Sequence, residues 1–149
     1  MLLSVRPRFA RAILAGEKTT EIRRSRPNLV PGSQVYVYAT APIKALLGLF
    51  RVDDLITESV SRLWDIAKTS AALSRREFDD YLQGLSKGHA ISIAETSSLV
   101  QPIPLEDIRV IWPGFHPPQS FRYLVSSDPL AASLMSMAHR MLPVDSPLV

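Results

Sequence analysis

The chain reads as a small, mostly antiparallel β-barrel of the α+β class, flanked by helices and carrying one further helix at its C-terminal end. Three observations predict this. Short apolar strands are punctuated by bulge and turn signals, as in small barrels. The order strand, helix, several strands, two helices, strands, helix shows no regular βαβ alternation. At 149 residues with 46% hydrophobic and 21% charged side chains, the chain has the size and composition to bury one core.

Leu2 to Val5 is short and apolar and predicts a first strand. Pro7 opens a helix to about Ala15, and Gly16 stops it. Phe9, Ala12 and Ile13 form its buried stripe, leaving Arg8 and Arg11 outside. Lys18–Arg24 predicts a second strand, and the Pro31-Gly32 turn ends the loop that follows. Gln34–Thr40 alternates and is a third strand, with Val35 and Val37 on one face and Tyr36 and Tyr38 on the other. Lys44–Leu55 is a fourth, with a bulge or bend expected at Gly48.

Ser59–Ala67 and Ser74–Leu82 predict two helices, the second with the capping-box spacing Ser74-x-x-Glu77. His89–Glu95 is a fifth strand, Leu105–Ile108 one helical turn, and Phe121–Val125 a closing strand. Asp128-Pro129 starts a last helix to about Leu142. Residues 1–126 are read as one domain and 127–149 as a helical extension packed on it. The stripe Leu130, Leu134, Met137 and Met141 either docks on the parent barrel or pairs with a partner, such as a second copy in a homodimer.

Charge is uneven. The formal net charge is +3, yet residues 1–26 alone hold seven basic and two acidic side chains, so the rest is slightly acidic. Gathered positive charge with an acid among it points to an anionic ligand. The modest net charge favours a pocket over an extended duplex-binding face. The chain has no cysteine, which removes disulfide scaffolds and thiol nucleophiles and suits a cytoplasmic protein. No apolar run is long enough for a membrane span, and the N-terminus lacks a signal-peptide h-region. His89, His116 and His139 are scattered without metal-ligand spacing, so no metal is assigned. No cofactor is assigned either: there is no Gly-rich phosphate loop and no Gly-x-Ser-x-Gly elbow.

The densest chemistry lies in Ala15-Gly16-Glu17-Lys18-Thr19-Thr20-Glu21-Ile22-Arg23-Arg24. In strand geometry Glu21 and Arg23 share a face and Ile22 points the opposite way, into the barrel. Lys18 joins the two only if the strand begins or bulges after it, so irregular backbone is expected near Thr19. The three are expected to converge on an open pocket with Arg6 beside it and Arg24 adding to the basic surface. Lys18 and Arg23 suit a phosphate or carbonyl oxygen. Glu21 suits an exocyclic amine or a proton in transit. The plain alternative is a solvated strand with an ion pair of little energetic weight.

Tyr36 and Tyr38 are placed to stack a base or simply to pack. His89 is an acid/base or phosphate-donor candidate or an exposed strand-start histidine. Gln119, Ser120, Arg122 and Tyr123 either rim the cleft or form a plain strand edge.

The motif glycine-x-lysine-x-x-glutamate-x-arginine, here Gly16, Lys18, Glu21 and Arg23, resembles that of the ASCH domain family in the PUA-like superfamily. Leu3-Ser4-Val5-Arg6-Pro7, the Pro31-Gly32 turn before the Val35–Tyr38 strand, and Pro117-Pro118-Gln119-Ser120-Phe121-Arg122-Tyr123-Leu124 extend the resemblance over residues 2–125. It implies a bent PUA-like barrel with a cleft between barrel and helices, and RNA or a nucleoside as partner. Roles proposed for the family are RNA processing and coactivation of transcription. Some members are enzymes: a bacterial group hydrolyses the acetyl amide of N4-acetylcytidine, and a related protein is reported as a ribonuclease. In those amidohydrolases the position of Lys18 is a catalytic lysine and that of Glu21 a threonine nucleophile. Their acidic partner comes from the helical region that here holds Glu77, Asp79 and Asp80. The threonine is absent at position 21, and Thr19 and Thr20 are out of register. The expectation is therefore an RNA- or nucleoside-binding domain with a basic cleft. A metal-independent ribonuclease or modified-pyrimidine amidohydrolase using Lys18 and Glu21 is the alternative, and a regulatory interaction module the third reading.

Overall fold

Backbone pairing, more than side-chain patterning, sets the lengths of the elements in the computed structural model, which describes residues 1–141. Strand β1 (Leu2–Val5) leads into helix α1 (Pro7–Leu14) and strands β2 (Thr20–Arg23), β3 (Gln34–Ala39) and β4 (Ala45–Ser59). Helices α2 (Val60–Ser70) and α3 (Arg75–Tyr81) follow, then β5 (Lys87–Pro104), α4 (Leu105–Ile111), β6 (Phe121–Arg122) and α5 (Pro129–Met141). One six-stranded sheet runs in the order β2-β5-β4-β3-β1-β6. Only the β1–β3 pairing is parallel.

The sheet curls into a barrel-like half-shell because β4 and β5 form one long ribbon with repeated register shifts. The ribbon runs from Ser59↔Lys87 to Ala45↔Pro104, with shifts at Leu46/Gly48, Phe50/Val52 and Val52/Asp54. Each shift adds twist and bends the strand. Gly48 sits in this ribbon as expected. A Cβ there would stand 2.4 Å from the Ser97 carbonyl oxygen and 2.8 Å from Leu14 Cδ2, so only glycine lets the strands and α1 approach this closely. Both strands exceed their predicted bounds, because the partner supplies a ladder for polar stretches such as Thr57-Glu58-Ser59 and Ser97-Ser98 that have no apolar signal.

Closure falls short at one place. The sheet's edges are β2 and β6, which do not pair. β6 is shorter than predicted: Val125 N–H donates to Asp128 Oδ2 at 2.8 Å and turns the chain away. A seam is left between β2 and the β1–β6 edge, bridged by side chains and covered by α1 and α3.

Apolar residues divide into three clusters. Leu3, Val5, Ala10, Ile13, Val37, Phe50 and Ile91 fill the inside of the curl. Leu2, Tyr36, Tyr38, Leu46, Ile108, Phe115, Leu130 and Leu134 form a second cluster. Ile22, Leu63, Ala67, Phe78, Leu82 and Ala90 form a third, under α2 and α3. Two expectations are corrected here. Ile22 packs against the helices rather than inside the barrel, because β2 is an edge strand whose outer face is covered by α2 and α3. In α1 the buried pair is Ala10 and Ile13, while Phe9 is only half-buried. The first turns of α5 use Leu130 and Leu134 on the chain's own core. Met137 and Met141 of the predicted stripe, and His139, lie outside the described side chains. Among the described residues no helix is long and apolar enough to cross a membrane.

Candidate functional site

A Schellman turn at the end of α1 places the first functional side chain. Gly16, with φ +76°, lets its N–H reach the Ile13 carbonyl at 3.1 Å and the Glu17 N–H reach that of Ala12 at 2.9 Å. The chain leaves the turn with Lys18 outside any strand. Thr19 N–H donates to the Ser70 carbonyl and the Thr19 carbonyl accepts from Ile93 N–H, each at 2.9 Å. The ladder proper starts at Thr20↔Ser92. This is the irregular backbone the motif spacing demands, and it swings Lys18 onto the side of Glu21 and Arg23.

The three side chains are deeply buried: Lys18 is 1%, Glu21 6% and Arg23 8% exposed. Lys18 Nζ donates to the Ala71 carbonyl and lies 4.9 Å from the centroid of the Phe9 ring. It is also 3.5 Å from Glu21 Oε2, an ion pair without hydrogen-bond geometry. On the other side Arg23 Nη1 is 3.4 Å from Glu21 Oε1, and Nη2 donates to Ser120 Oγ across the seam. Burial pulls the Lys18 ammonium below its ordinary pKa; Glu21 opposes this, and Arg8 and Arg23 add to it. Two cations flank one carboxylate, so this buried group carries an excess positive charge.

The group opens on a cavity of about 640 Å³. Ser4 and Val5 line it from β1, Arg6 from the N-cap of α1, Thr40 from just past β3, and Gln119 from the segment before β6. Phe9 of α1 and Leu73, Glu77, Asp80 and Tyr81 of the α3 region form the opposite side. The expected basic cleft is thus mixed in charge, because α3 brings two carboxylates to its wall. Glu77 accepts from Ser74 N–H at 3.1 Å in a capping box and pairs with Arg8. The Ser74 backbone bond, then Arg8, hold its carboxyl below the usual range. Asp80 pairs with Arg76 at 3.9 Å. Asp79 turns outward to Arg75 at 3.1 Å. Among the described residues, the buried side-chain atoms without a hydrogen-bond partner are Ser4 Oγ and Glu21 Oε2, both on residues of this cavity. Such orphans are costly and cluster where function requires them.

Arg6, Lys18, Glu21, Arg23 and Gln119 are therefore brought together, with Ser120 held by Arg23. Other predicted residues, Tyr36 and Arg122 among them, are not in the lining. Tyr38 is buried in the second core cluster, so its ring is closed to a stacking base. Arg24 instead donates to the carbonyls of Tyr81 at 2.6 Å and Gln83 at 3.1 Å, tying β2 to the end of α3. Tyr123 OH accepts from Asn28 N–H at 2.6 Å and anchors the loop after β2. His89 lies beside the cavity, paired across the ladder with Arg23. Phe9 and Tyr81 were missed. Phe9 reads in sequence as a core position of an amphipathic helix, and Tyr81 as a residue in the last turn of a helix, with no signal that both face one cavity. Burial raises the Tyr81 hydroxyl above its ordinary pKa.

The ASCH domain model matches residues 3–102. An ASCH domain-containing ribonuclease of Zymomonas mobilis is 32% identical over 123 residues, which is 83% of this chain and 82% of that protein. The crystal structure of ASCH from Zymomonas mobilis superposes with a TM-score of 0.82 at 30% identity, covering 90% of this chain and 93% of that one. A tyrosine-to-phenylalanine variant of the same protein gives 0.84 at 30% identity, over 91% and 96% of the two chains. Sequence match, curled sheet and helix placement agree: this chain belongs to the ASCH domain family.

Proposed function

We propose that this protein binds single-stranded RNA and draws one nucleotide of the strand into the cavity at the seam. The observation that carries the reading is the buried Lys18–Glu21–Arg23 group opening on a 640 Å³ cavity of mixed charge. Its floor has surplus positive charge for a phosphate oxygen, and its α3 wall has acceptors for the N–H groups of a base. Phe9 and Tyr81 supply aromatic faces. Lys18 is sealed below Phe9 and spent on Ala71 and Glu21, so it orients Glu21. Arg6, Glu21 and Arg23 are the lining groups left to meet the ligand.

A second reading, cleavage of the bound strand, is favoured by the 32% identical ribonuclease. In it Glu21 takes the proton of a 2′-hydroxyl as that oxygen attacks phosphorus. The P–O5′ bond breaks, and the departing 5′-oxygen takes a proton from solvent at the open mouth. Arg23 neutralises the charge that grows on the phosphoryl oxygens. The products are a 2′,3′-cyclic phosphate and a 5′-hydroxyl. Incubating the full chain with short RNAs, read by mass spectrometry for retention and for cyclic-phosphate fragments, tests both readings. Retention lost in Arg23→Ala supports binding; fragments lost in Glu21→Gln, with retention kept, support cleavage. Wild-type protein that retains no RNA at low salt overturns the proposal.

A further inference from the structure

Beside the cavity, a row of polar side chains continues from the site's own Arg23 across two further strands. Arg23 on β2 is paired with His89 on β5, and His89 with Thr57 on β4. Residues paired in this way project from the same face of a sheet, so the row leads away from the cavity on the face that Arg23 occupies. Two strand spacings make it roughly 10 Å long. At its far end Arg26, from the loop after β2, folds back and donates through Nη1 to Thr57 Oγ1 at 3.0 Å. Thr57 Oγ1 is in turn 2.8 Å from His89 Nδ1.

We infer that this row is a docking track for the RNA strand leaving the cavity, with Arg26 and His89 holding the backbone phosphate next to the cavity-bound nucleotide. The inference rests on the RNA reading above and adds a path and a footprint to it. Hydrogen-bond direction supplies the argument. Arg26 is a pure donor, so Thr57 oxygen accepts from it; in the arrangement we infer, the Thr57 hydroxyl turns its own proton to Nδ1. This puts the imidazole proton on Nε2, facing outward. Burial, and then Arg26, hold the His89 pKa below the ordinary histidine value, in keeping with a neutral ring. Beyond the Arg23–Glu21 pair at the cavity end, His89 Nε2–H and Arg26 then offer donors only, which suits phosphate oxygens and rejects a cation.

The surroundings agree. Among the described residues no carboxylate pairs with Arg26 or His89. Lys87, exposed and two residues before His89 on β5, extends positive charge along the same face. The neighbouring acid, Glu58, alternates to the other face and pairs with Arg62 at 3.9 Å. A strand on this track gains affinity from phosphates that a mononucleotide lacks.

The test is an NMR titration of the full chain with a mixed-sequence RNA hexanucleotide and, separately, with the four nucleoside monophosphates. Arg26→Ala is expected to weaken the hexanucleotide about tenfold and to change the monophosphates less than twofold. Thr57→Val keeps both charges and removes only the relay. It is expected to weaken the hexanucleotide severalfold and to shift the His89 ring ¹⁵N signals away from the Nε2–H form seen in wild type. A wild-type His89 protonated on Nδ1, or a hexanucleotide affinity unmoved in both variants, overturns the track. If wild type binds neither hexanucleotide nor monophosphate, the RNA reading itself fails. Monophosphate binding without any gain for the hexanucleotide overturns the track alone.

Discussion

Lys18 shows how much chemistry one displaced residue concentrates. A strand continuing through Thr19 would have put it on the Ile22 face, among Leu63 and Phe78. The Schellman turn and the late start of β2 bring it instead to Glu21. Glu21 differs from the threonine expected of an amidohydrolase of this family, and a carboxylate attacking an amide would form a mixed anhydride. Little or no hydrolysis of N4-acetylcytidine is therefore expected; robust turnover abolished by Glu21→Gln would contradict this assignment. Arg23 bridges the seam to Ser120 and, in the function proposed, is a cation that meets the ligand. Arg23→Ala is expected to weaken RNA binding by about 1–3 kcal/mol, and the affinity of wild type to fall with added salt. Titration at several salt concentrations by fluorescence anisotropy checks both.

At the scale of elements, α3 is the one whose start the sequence announces most clearly. Ser74 Oγ accepts from Glu77 N–H at 3.1 Å, and Glu77 Oε1 accepts from Ser74 N–H at 3.1 Å. Ser74→Ala is expected to cost about 1 kcal/mol at neutral pH. The pH dependence follows from the lowered Glu77 pKa. A carboxyl with a depressed folded-state pKa contributes stability that is fully present above its unfolded pKa and is lost as pH falls through the folded value. The Ser74 N–H and Arg8, which lower that pKa most, persist in Ser74→Ala, so it is the gap between wild type and Glu77→Gln that should shrink below about pH 4. Urea unfolding at pH 7 and pH 3 measures it, and a gap that is larger at pH 3 would refute the account. The Arg8–Glu77 pair joins α1 to this same helix end over the cavity, but both partners are well exposed, so it adds little to stability.

For the whole molecule, α5 tests whether the C-terminal extension is part of the fold. Leu134 is 1% exposed and packs with Leu130, Tyr38 and Ile108. Leu134→Ala is expected to destabilise the entire protein by about 2–5 kcal/mol in a single cooperative transition. A melting curve in which only a separate, early phase moves would assign the helix to an independent unit.

Periodicity and punctuation were enough for the strand and helix order, the glycine in the β4–β5 ribbon, the Ser74 capping box, and the requirement for broken backbone at Thr19. These are local signals, written in neighbouring residues. The converging charge of Lys18, Glu21 and Arg23 was legible because the three lie within one short segment. Tertiary structure decided what distance along the chain conceals. Tyr38 alternates as a surface aromatic would, yet α4 and α5 cover its face. Arg24 reads as one more ligand cation, yet the end of α3 claims it. Phe9 and Tyr81, far apart in sequence, meet at one cavity only because the sheet fails to close between β2 and β6. Which face of a strand is buried depends on what the rest of the chain lays over it, and no local pattern contains that information.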